Sequence, residues 1–185
     1  GNAAQGRKIC HFNTNNPILL IIGGSLGSKA INDLIRKDID ALLENFSICH
    51  ICGRDGLDKT LSSKSGYQQF EYVNEALPDF FAMADLVISR AGATVLFELL
   101  AIKKPSLLIP LSKKASRGDQ ILNARSFERQ GLAYMVEEED LVDISIVDKI
   151  QETFQKRDQL IQKMNQQSLN EGNQRIFKLI DQILK

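Results

Sequence analysis

One stretch of sequence decides the fold, Pro17-Ile18-Leu19-Leu20-Ile21-Ile22-Gly23-Gly24-Ser25-Leu26-Gly27-Ser28. Its first half, 17–22, is apolar at every position, as a central parallel strand is when helices cover both faces of its sheet. Its second half is a turn that contains three glycines. From Ser28 onward, apolar residues recur at steps of three and four, which predicts one amphipathic helix. The buried stripe of that helix is Ile31, Leu34, Ile35, Ile39, Leu42 and Leu43.

The same alternation of strand, turn and helix continues along the chain. Apolar runs predict further strands at 47–52, 67–73, 86–89, 106–109 and 133–136. Helical patterns predict a short helix at 78–83 and longer helices at 94–101 and 119–130. Such alternation is typical of parallel sheets. We therefore predict an α/β fold with a Rossmann-like, doubly wound parallel sheet of about six strands.

Composition excludes several classes of protein. The 185 residues carry 23 Lys and Arg against 23 Asp and Glu, so the formal net charge is zero. That balance argues against a nucleic-acid partner, because neutralising phosphates needs a surplus of basic residues. No apolar run approaches the roughly 18 residues that cross a bilayer, and no export signal precedes the first strand. We therefore expect a soluble chain.

The segment Cys49-His50-Ile51-Cys52 matches the C-x-x-C pattern of redox and zinc sites. A structural zinc ion needs four ligands, and no second pair of cysteines is present. In a strand, positions 49 and 52 point to opposite faces, so their sulfur atoms diverge. We predict buried free thiols in a reducing compartment, and no metal.

Ligands of open parallel sheets bind beyond the carboxyl ends of the strands, so the turns that follow the strands are the candidate site. The first turn is 23–28, where glycines allow backbone N–H groups to approach an anion such as a pyrophosphate. The alternative is a tight turn that needs glycine for its geometry. The dinucleotide fingerprint G-x-G-x-x-G is absent and no acidic residue ends the second strand, which argues against a dehydrogenase.

Two further turns carry polar residues. The turn 90–94 leads into a helix that carries Glu98, whose carboxylate could accept hydrogen bonds from both hydroxyls of a ribose. The alternatives are a solvated Glu98 and a Thr94 that merely caps the helix. The turn 117–120 brings Asp119 and Gln120, which suit sugar hydroxyls, although Asp119 could simply be a cap. The coincidence of three such turns on one sheet edge favours the ligand-binding interpretation.

In this order, the turns resemble the C-terminal domain of the MurG family, bacterial glycosyltransferases that add N-acetylglucosamine to the lipid-linked muramyl-pentapeptide of peptidoglycan. The resemblance runs from about Cys10 to the C-terminal helices. Its motifs are 23–28, 84–93 and 119–124, that is GGSLGS, ADLVISRAGA and DQILNA. The resemblance implies the C-terminal half of a GT-B glycosyltransferase, which holds a uridine diphosphate sugar.

The resemblance also implies a role for each matching residue. Gly24 and Ser25 approach the diphosphate, backbone groups near Val73 meet the uracil, and Glu98 holds the ribose. The full implied substrate-binding set is Gly24, Ser25, Val73, Arg90, Ala93, Thr94, Glu98, Asp119 and Gln120. Ala93 and Thr94 line the phosphate and sugar, and Asp119 and Gln120 contact N-acetylglucosamine. The family often has two glutamines at the last pair, so Asp119 is a departure that affects the sugar contact. No cofactor is implied.

The resemblance divides the chain into three parts. We expect a cloning remnant and disordered start at 1–4, the donor-binding domain at 5–165, and at 166–185 a helix that packs toward an N-terminal domain. In the family, that N-terminal domain supplies the acceptor site, the general base and the membrane-facing apolar patch. We therefore expect no catalytic residue in this chain and no activity from it alone. The implied partners are UDP-N-acetylglucosamine, the lipid-linked muramyl-pentapeptide and the cytoplasmic face of the bacterial membrane, where the whole enzyme would be peripheral.

Two other functions remain open at this point. One is a UDP-N-acetylglucosamine 2-epimerase, which shares a two-domain layout and a related substrate but needs acid and base side chains in its cleft. The other is a non-catalytic UDP-sugar-binding module that works with a separate, membrane-bound partner chain.

Overall fold

The computed structural model describes residues 1–24, 27–113 and 115–167. The described strands form a six-stranded sheet in the order β3-β2-β1-β4-β5-β6, and every pairing is parallel. The strands are β1 (Ile18–Ile22), β2 (Ser47–Ile51), β3 (Tyr67–Phe70), β4 (Leu86–Ser89), β5 (Ser106–Leu108) and β6 (Tyr134–Met135). The predicted fold class and strand number are therefore confirmed.

Helices cover both faces of the sheet. They are α1 (Ala3–Ile9), α2 (Lys29–Lys37), α3 (Ile39–Leu43), α4 (Leu77–Met83), α5 (Ala93–Ala101), α6 (Asp119–Arg129), α7 (Ile146–Gln155) and α8 (Arg157–Gln166). Two 3-10 helices lie at Lys59–Leu61 and Glu138–Val142. In the described part of the chain, no helix is both long and apolar enough to span a membrane.

The two cores follow from the apolar strands. Leu20 and Val87 pack in the cluster that α1, α4, α5 and α6 cover, whereas Leu19 and Leu86 pack in the cluster under α2, α3 and α7. Neighbouring residues of a strand point to opposite faces, so a strand that is apolar at every position contributes to both cores. A third, smaller cluster joins α8 to the end of α5 through Leu160, Met164, Leu100 and Leu132.

Three local predictions differ from the structure. The single helix expected from Ser28 breaks at Asp38, where φ is −113° and ψ is 24°, although Ile35 and Ile39 remain buried on one stripe. The third strand ends at Phe70 rather than at position 73. The start of the chain is helical from Ala3, with the Asn2 side chain capping α1, which corrects the expected disorder at 1–4. The expected helix at 166–185 lies almost entirely outside the described residues.

Candidate functional site

A pocket of about 1080 Å³ opens beyond the carboxyl ends of the central strands. The segments that follow β1, β3, β4, β5 and β6 contribute to it. It brings together seven of the nine residues predicted from the sequence, namely Gly24, Val73, Arg90, Ala93, Thr94, Glu98 and Gln120. Asp119 is exposed in the first turn of α6 and is not among the lining residues, and Ser25 lies outside the described residues. One edge of the sheet therefore carries the predicted set, as parallel topology requires.

The glycines after β1 serve two different purposes. A Cβ on Gly23 would lie 2.5 Å from Ser28 N, and one on Gly27, whose φ is +78°, would lie 2.3 Å from Cys52 O. These two glycines are required by packing, so the tight-turn alternative holds for them. Gly24 has a φ of +96° and nothing within 4 Å of such a Cβ, so its backbone faces open space in the pocket.

The turn after β1 delivers the N-terminus of α2 to the pocket. Ser28 is the N-cap, and its Oγ accepts a hydrogen bond from Ile31 N at 3.3 Å. The unpaired N–H groups of a first helical turn and the helix dipole together favour an anion at this end. Lys29 and Ala30 also line the pocket. The arrangement suits a phosphate group.

The buried Arg90 side chain joins several segments beneath the pocket through hydrogen bonds. Its Nη1 donates to Ile109 O and Pro110 O, each at 3.1 Å, and to Glu138 Oε2 at 2.6 Å. Its Nη2 donates to Ser28 Oγ at 2.6 Å. The guanidinium thus ties the carboxyl ends of β4 and β5 to the start of α2. Sequence reasoning missed Glu138, whose only signal was its place in the acidic run 137–140.

The helix α5 presents its first two turns to the pocket. It begins at Ala93 with Gly92 as N-cap, so the alternative in which Thr94 caps the helix is wrong. Thr94 and Glu98 are exposed and lie one turn apart on the pocket side. Among the described residues no hydrogen-bond donor engages the Glu98 carboxylate, which leaves both of its oxygens available to hydroxyl groups.

The start of α6 closes the pocket beyond β5. Gly118, with a φ of +84°, is the N-cap, so the alternative in which Asp119 caps this helix is also wrong. Gln120 Oε1 accepts a hydrogen bond from Leu111 N at 3.1 Å. That bond fixes the orientation of the side-chain amide and leaves its NH₂ group as a donor toward the pocket.

The segment after β3 gives the pocket an apolar end. Val73 lies there between Tyr72, which is about half exposed, and Asn74, and the side chains of Leu77 and Phe81 from α4 form the adjoining wall. A second pocket of about 590 Å³ continues from this end between α4 and α5. A flat aromatic base fits such a surface, since its faces are apolar and its edge needs backbone partners. Tyr72, Leu77 and Phe81 were not singled out as site residues from the sequence, which placed Tyr72 in the predicted strand 67–73, Phe81 in the predicted helix 78–83 and Leu77 between them.

Of the C-x-x-C segment, Ile51 lines the pocket, and Cys49, His50 and Cys52 do not. Its cysteines are free and buried, as predicted, and Cys49 packs in the core beneath α1 and α4, whereas Cys52 accepts a hydrogen bond from Arg36 Nη2 at 3.4 Å. Burial raises the pKa of the Cys52 thiol to about 11, which keeps it protonated and unreactive. Burial lowers the pKa of His50 to about 3. Neither residue lines the pocket.

Comparison with known proteins places this geometry in a family. Residues 18–181 match the Glycosyltransferase family 28 C-terminal domain. The chain is 53% identical over all 185 residues to the UDP-N-acetylglucosamine--N-acetylmuramyl-(pentapeptide) pyrophosphoryl-undecaprenol N-acetylglucosamine transferase of Clostridium botulinum, covering 52% of that protein. Over 98% of the chain it is 52% identical to the protein of the same name in Clostridium tetani, covering 51% of it.

A solved structure shows the same fold. The crystal structure of Acinetobacter baumannii MurG superposes with a TM-score of 0.72 at 23% identity, over 98% of this chain and 53% of that one. The chain therefore belongs to glycosyltransferase family 28, as its C-terminal domain. It spans about half the length of the curated relatives it matches. The resemblance drawn from the three turns is thereby confirmed.

Proposed function

We propose that this chain is the donor-binding half of an inverting glycosyltransferase that moves N-acetylglucosamine from UDP-N-acetylglucosamine to a lipid-linked muramyl-pentapeptide in peptidoglycan synthesis. The observation that carries the proposal is the single pocket in which a glycine turn, two helix N-termini and the free Glu98 carboxylate meet. The 53% identity to transferases with this name, of which the chain covers about half, supports UDP-N-acetylglucosamine as the substrate of the pocket.

The nucleoside lies at the apolar end of the pocket. Backbone groups near Val73 meet the edge of the uracil, and the apolar wall of Leu77 and Phe81 takes its face. Glu98 accepts hydrogen bonds from the two ribose hydroxyls, because a carboxylate offers two acceptor oxygens at the spacing of a vicinal diol. This arrangement selects a ribonucleotide over a deoxyribonucleotide.

The diphosphate lies between the N-termini of α2 and α5. Gly24 approaches it from one side, and Ala93 and Thr94 from the other. Ser25 follows Gly24 in the sequence, and we assign it to the same diphosphate on that ground alone. Both helix dipoles direct partial positive charge at the diphosphate, where negative charge develops as its bond to the sugar breaks. This chain thus supplies stabilisation of the departing UDP. The acceptor hydroxyl and the general base come from outside it.

The sugar extends toward the start of α6. The Gln120 side-chain NH₂ donates to it. Asp119, which is exposed in the first turn of α6 and lies outside the pocket lining, accepts from hydroxyl groups of the sugar that extend beyond the pocket. A carboxylate at position 119 accepts hydrogen bonds only, whereas the glutamine that is common in the family both donates and accepts. Asp119 and Gln120 therefore affect the affinity for UDP-N-acetylglucosamine more than the affinity for UDP.

The whole enzyme has a second substrate and a membrane location under this proposal. The lipid-linked acceptor binds to the other half of the molecule, and the enzyme lies peripherally at the cytoplasmic face of the bacterial membrane. The names of the relatives, which include an undecaprenol-linked acceptor, support this assignment.

Isothermal titration calorimetry with UDP-N-acetylglucosamine and with UDP tests the proposal. We expect a folded sample to bind both ligands with one site per chain. A sample that unfolds cooperatively on heating and yet binds neither ligand at millimolar concentration overturns the proposed function.

The two alternatives have their own tests. Among the described residues, the pocket lining includes no histidine, and of its two carboxylates Glu138 is paired with Arg90, which disfavours an epimerase that needs both an acid and a base. NMR analysis of products would show epimerised sugar if that alternative were correct. Activity restored by adding an N-terminal half to the chain in trans separates a transferase half from a module with a different partner.

A further inference from the structure

The Ser28 hydroxyl occupies an unusual position at the floor of the pocket. The residue is 8% exposed, and its Oγ accepts one hydrogen bond from Arg90 Nη2 at 2.6 Å and another from Ile31 N at 3.3 Å. Both donors are N–H groups that have no lone pair to offer in return. The two lone pairs of Oγ are therefore occupied, while its own proton has no acceptor among the described residues.

A buried hydroxyl proton without an acceptor is costly, so it points to a group that arrives with the ligand. Ser28 lines the pocket and stands at the N-terminus of α2, where the positive end of a nine-residue helix adds to the guanidinium charge of Arg90 behind it. Both effects favour an anionic acceptor. In the open pocket, the position beside Gly24 and Lys29 suits a phosphate oxygen.

We infer that Ser28, the last residue of the GGSLGS turn, is a diphosphate ligand in addition to the predicted substrate-binding residues, with its hydroxyl donating to a phosphate oxygen while Arg90 holds the oxygen atom in place. This inference rests on the proposed function, because it needs a nucleoside diphosphate in the pocket. Arg90 then acts as a positioning residue. Its guanidinium makes four hydrogen bonds within the protein and orients Ser28 rather than contacting the ligand first.

The test compares UDP with uridine, which lacks the phosphates. Ser28→Ala is titrated with each ligand, and amide chemical shifts follow binding into the millimolar range. We expect the affinity for UDP to fall about tenfold, since a hydrogen bond to a charged group is lost, and the affinity for uridine to stay within about twofold. Equal fractional losses for both ligands, or no loss for UDP, overturn the inference.

Ser145→Ala is the matched control. Ser145 also caps a helix, its Oγ accepting from Asp148 N at 3.2 Å, but it lies outside the pocket. Both variants lose about 1 kcal/mol of cap energy, so a loss of UDP affinity in Ser28→Ala alone is not a consequence of the cap. Ser28→Thr retains the hydroxyl and should restore UDP binding, and it keeps the comparison possible if the alanine variant unfolds.

The outcomes separate this inference from the proposed function. A wild-type chain that binds no UDP overturns both. A wild-type chain that binds UDP normally, together with a Ser28→Ala variant whose preference for UDP over uridine is unchanged, overturns the inference and leaves the proposed function standing.

Discussion

Two polar regions of this domain differ in where their hydrogen-bonding groups are directed. The β2–β3 cluster consists of Asn32, Arg36, His50, Cys52, Tyr67 and Gln69, and its members bond to one another. The pocket edge consists of Gly24, Thr94, Glu98 and Gln120, and its groups face open space. The difference shows that a polar residue such as histidine or arginine indicates a ligand site only if its donor and acceptor groups are not already paired within the protein.

The β2–β3 cluster is closed on itself. His50 Nε2 and Nδ1 lie 2.9 Å from Asn32 Oδ1 and from the Tyr67 hydroxyl, respectively. Asn32 Nδ2 in turn donates to Cys52 O at 3.0 Å, which fixes the exit of β2 against α2. In the described part of the chain, Arg36 Nε is the one buried side-chain nitrogen or oxygen that lacks a partner. This Arg36 N–H group is itself buried, and the other hydrogen bonds of the cluster are made within the protein, so the cluster stabilises the fold.

The largest effect is expected where the closed cluster is opened. His50→Ala removes the hydrogen-bond partner of Asn32 Oδ1 and one partner of the Tyr67 hydroxyl and creates a cavity, which should lower the free energy of unfolding by about 4 kcal/mol. Urea unfolding followed by circular dichroism measures the loss. The folded fraction of the variant should bind UDP as the wild type does, and a selective loss of UDP affinity would show that the cluster belongs to the site.

The glycine turn after β1 contacts both regions, since Gly27 packs against Cys52 of the closed cluster and Gly24 belongs to the pocket edge. Gly27→Ala forces a Cβ to 2.3 Å from Cys52 O at a positive φ, and we expect a loss of about 3 kcal/mol in the free energy of unfolding. Gly24→Ala meets no atom within 4 Å and should cost only about 1 kcal/mol, from its positive φ. Thermal unfolding measures both. Equal losses in the two variants would contradict the division into a closed and an open side.

Acid should destabilise the closed cluster through His50. Burial lowers the pKa of His50 from 6.5 to about 3. Between about pH 3 and pH 6.5, this histidine is therefore protonated in the unfolded chain and neutral in the folded protein. Stability is therefore present above about pH 6.5 and is lost as the pH falls. We expect a loss of about 2 kcal/mol from about pH 7.5 to about pH 5.

Urea titrations across that pH range measure the effect. The matched control is His50→Asn, which retains a polar side chain that does not titrate. Its free energy of unfolding should vary less with pH than that of the wild type over the same range. If the two pH profiles are parallel, His50 is not the group responsible.

The sequence predicted the fold and the site best where the residues of the site directly follow a strand that the local pattern identifies. The apolar run before Gly23 predicts a central strand, and the parallel topology then places Gly24, Glu98 and Gln120 on one edge without any contact being known. The local pattern did not predict that α2 and α3 are separate helices, because the stripe of buried apolar residues continues across the break at Asp38.

Long-range contacts explain the rest of what the sequence left open. Arg90 pairs with Glu138, 48 positions later, and with Ser28, 62 positions earlier, so no local pattern reveals that its guanidinium is buried and engaged. The same holds for His50, whose two ring nitrogens are hydrogen-bonded to Asn32 on α2 and Tyr67 on β3. Tertiary packing decides which polar groups stay free, and only the free ones form the pocket edge.

The smallest effect is expected at the pocket edge, where side chains affect binding more than stability. Glu98→Ala removes an exposed carboxylate on α5, so the free energy of unfolding should change by less than about 0.5 kcal/mol. Loss of the acceptor for two ribose hydroxyls should weaken UDP binding by about 1–2 kcal/mol, or roughly tenfold. Calorimetry measures the change.

The ligands provide the control for Glu98. Uridine and UDP share the ribose, so both should lose affinity by the same factor in Glu98→Ala, in contrast to the selective loss expected for Ser28→Ala. Glu98→Gln keeps the length of the side chain and one acceptor oxygen, and we expect an intermediate loss because an amide cannot accept from both hydroxyls with equal strength. A loss confined to UDP would move Glu98 from the ribose to the phosphates, and an unchanged affinity would remove it from the site. Either result would leave the pocket edge without its assigned acceptor and weaken the contrast with the closed cluster.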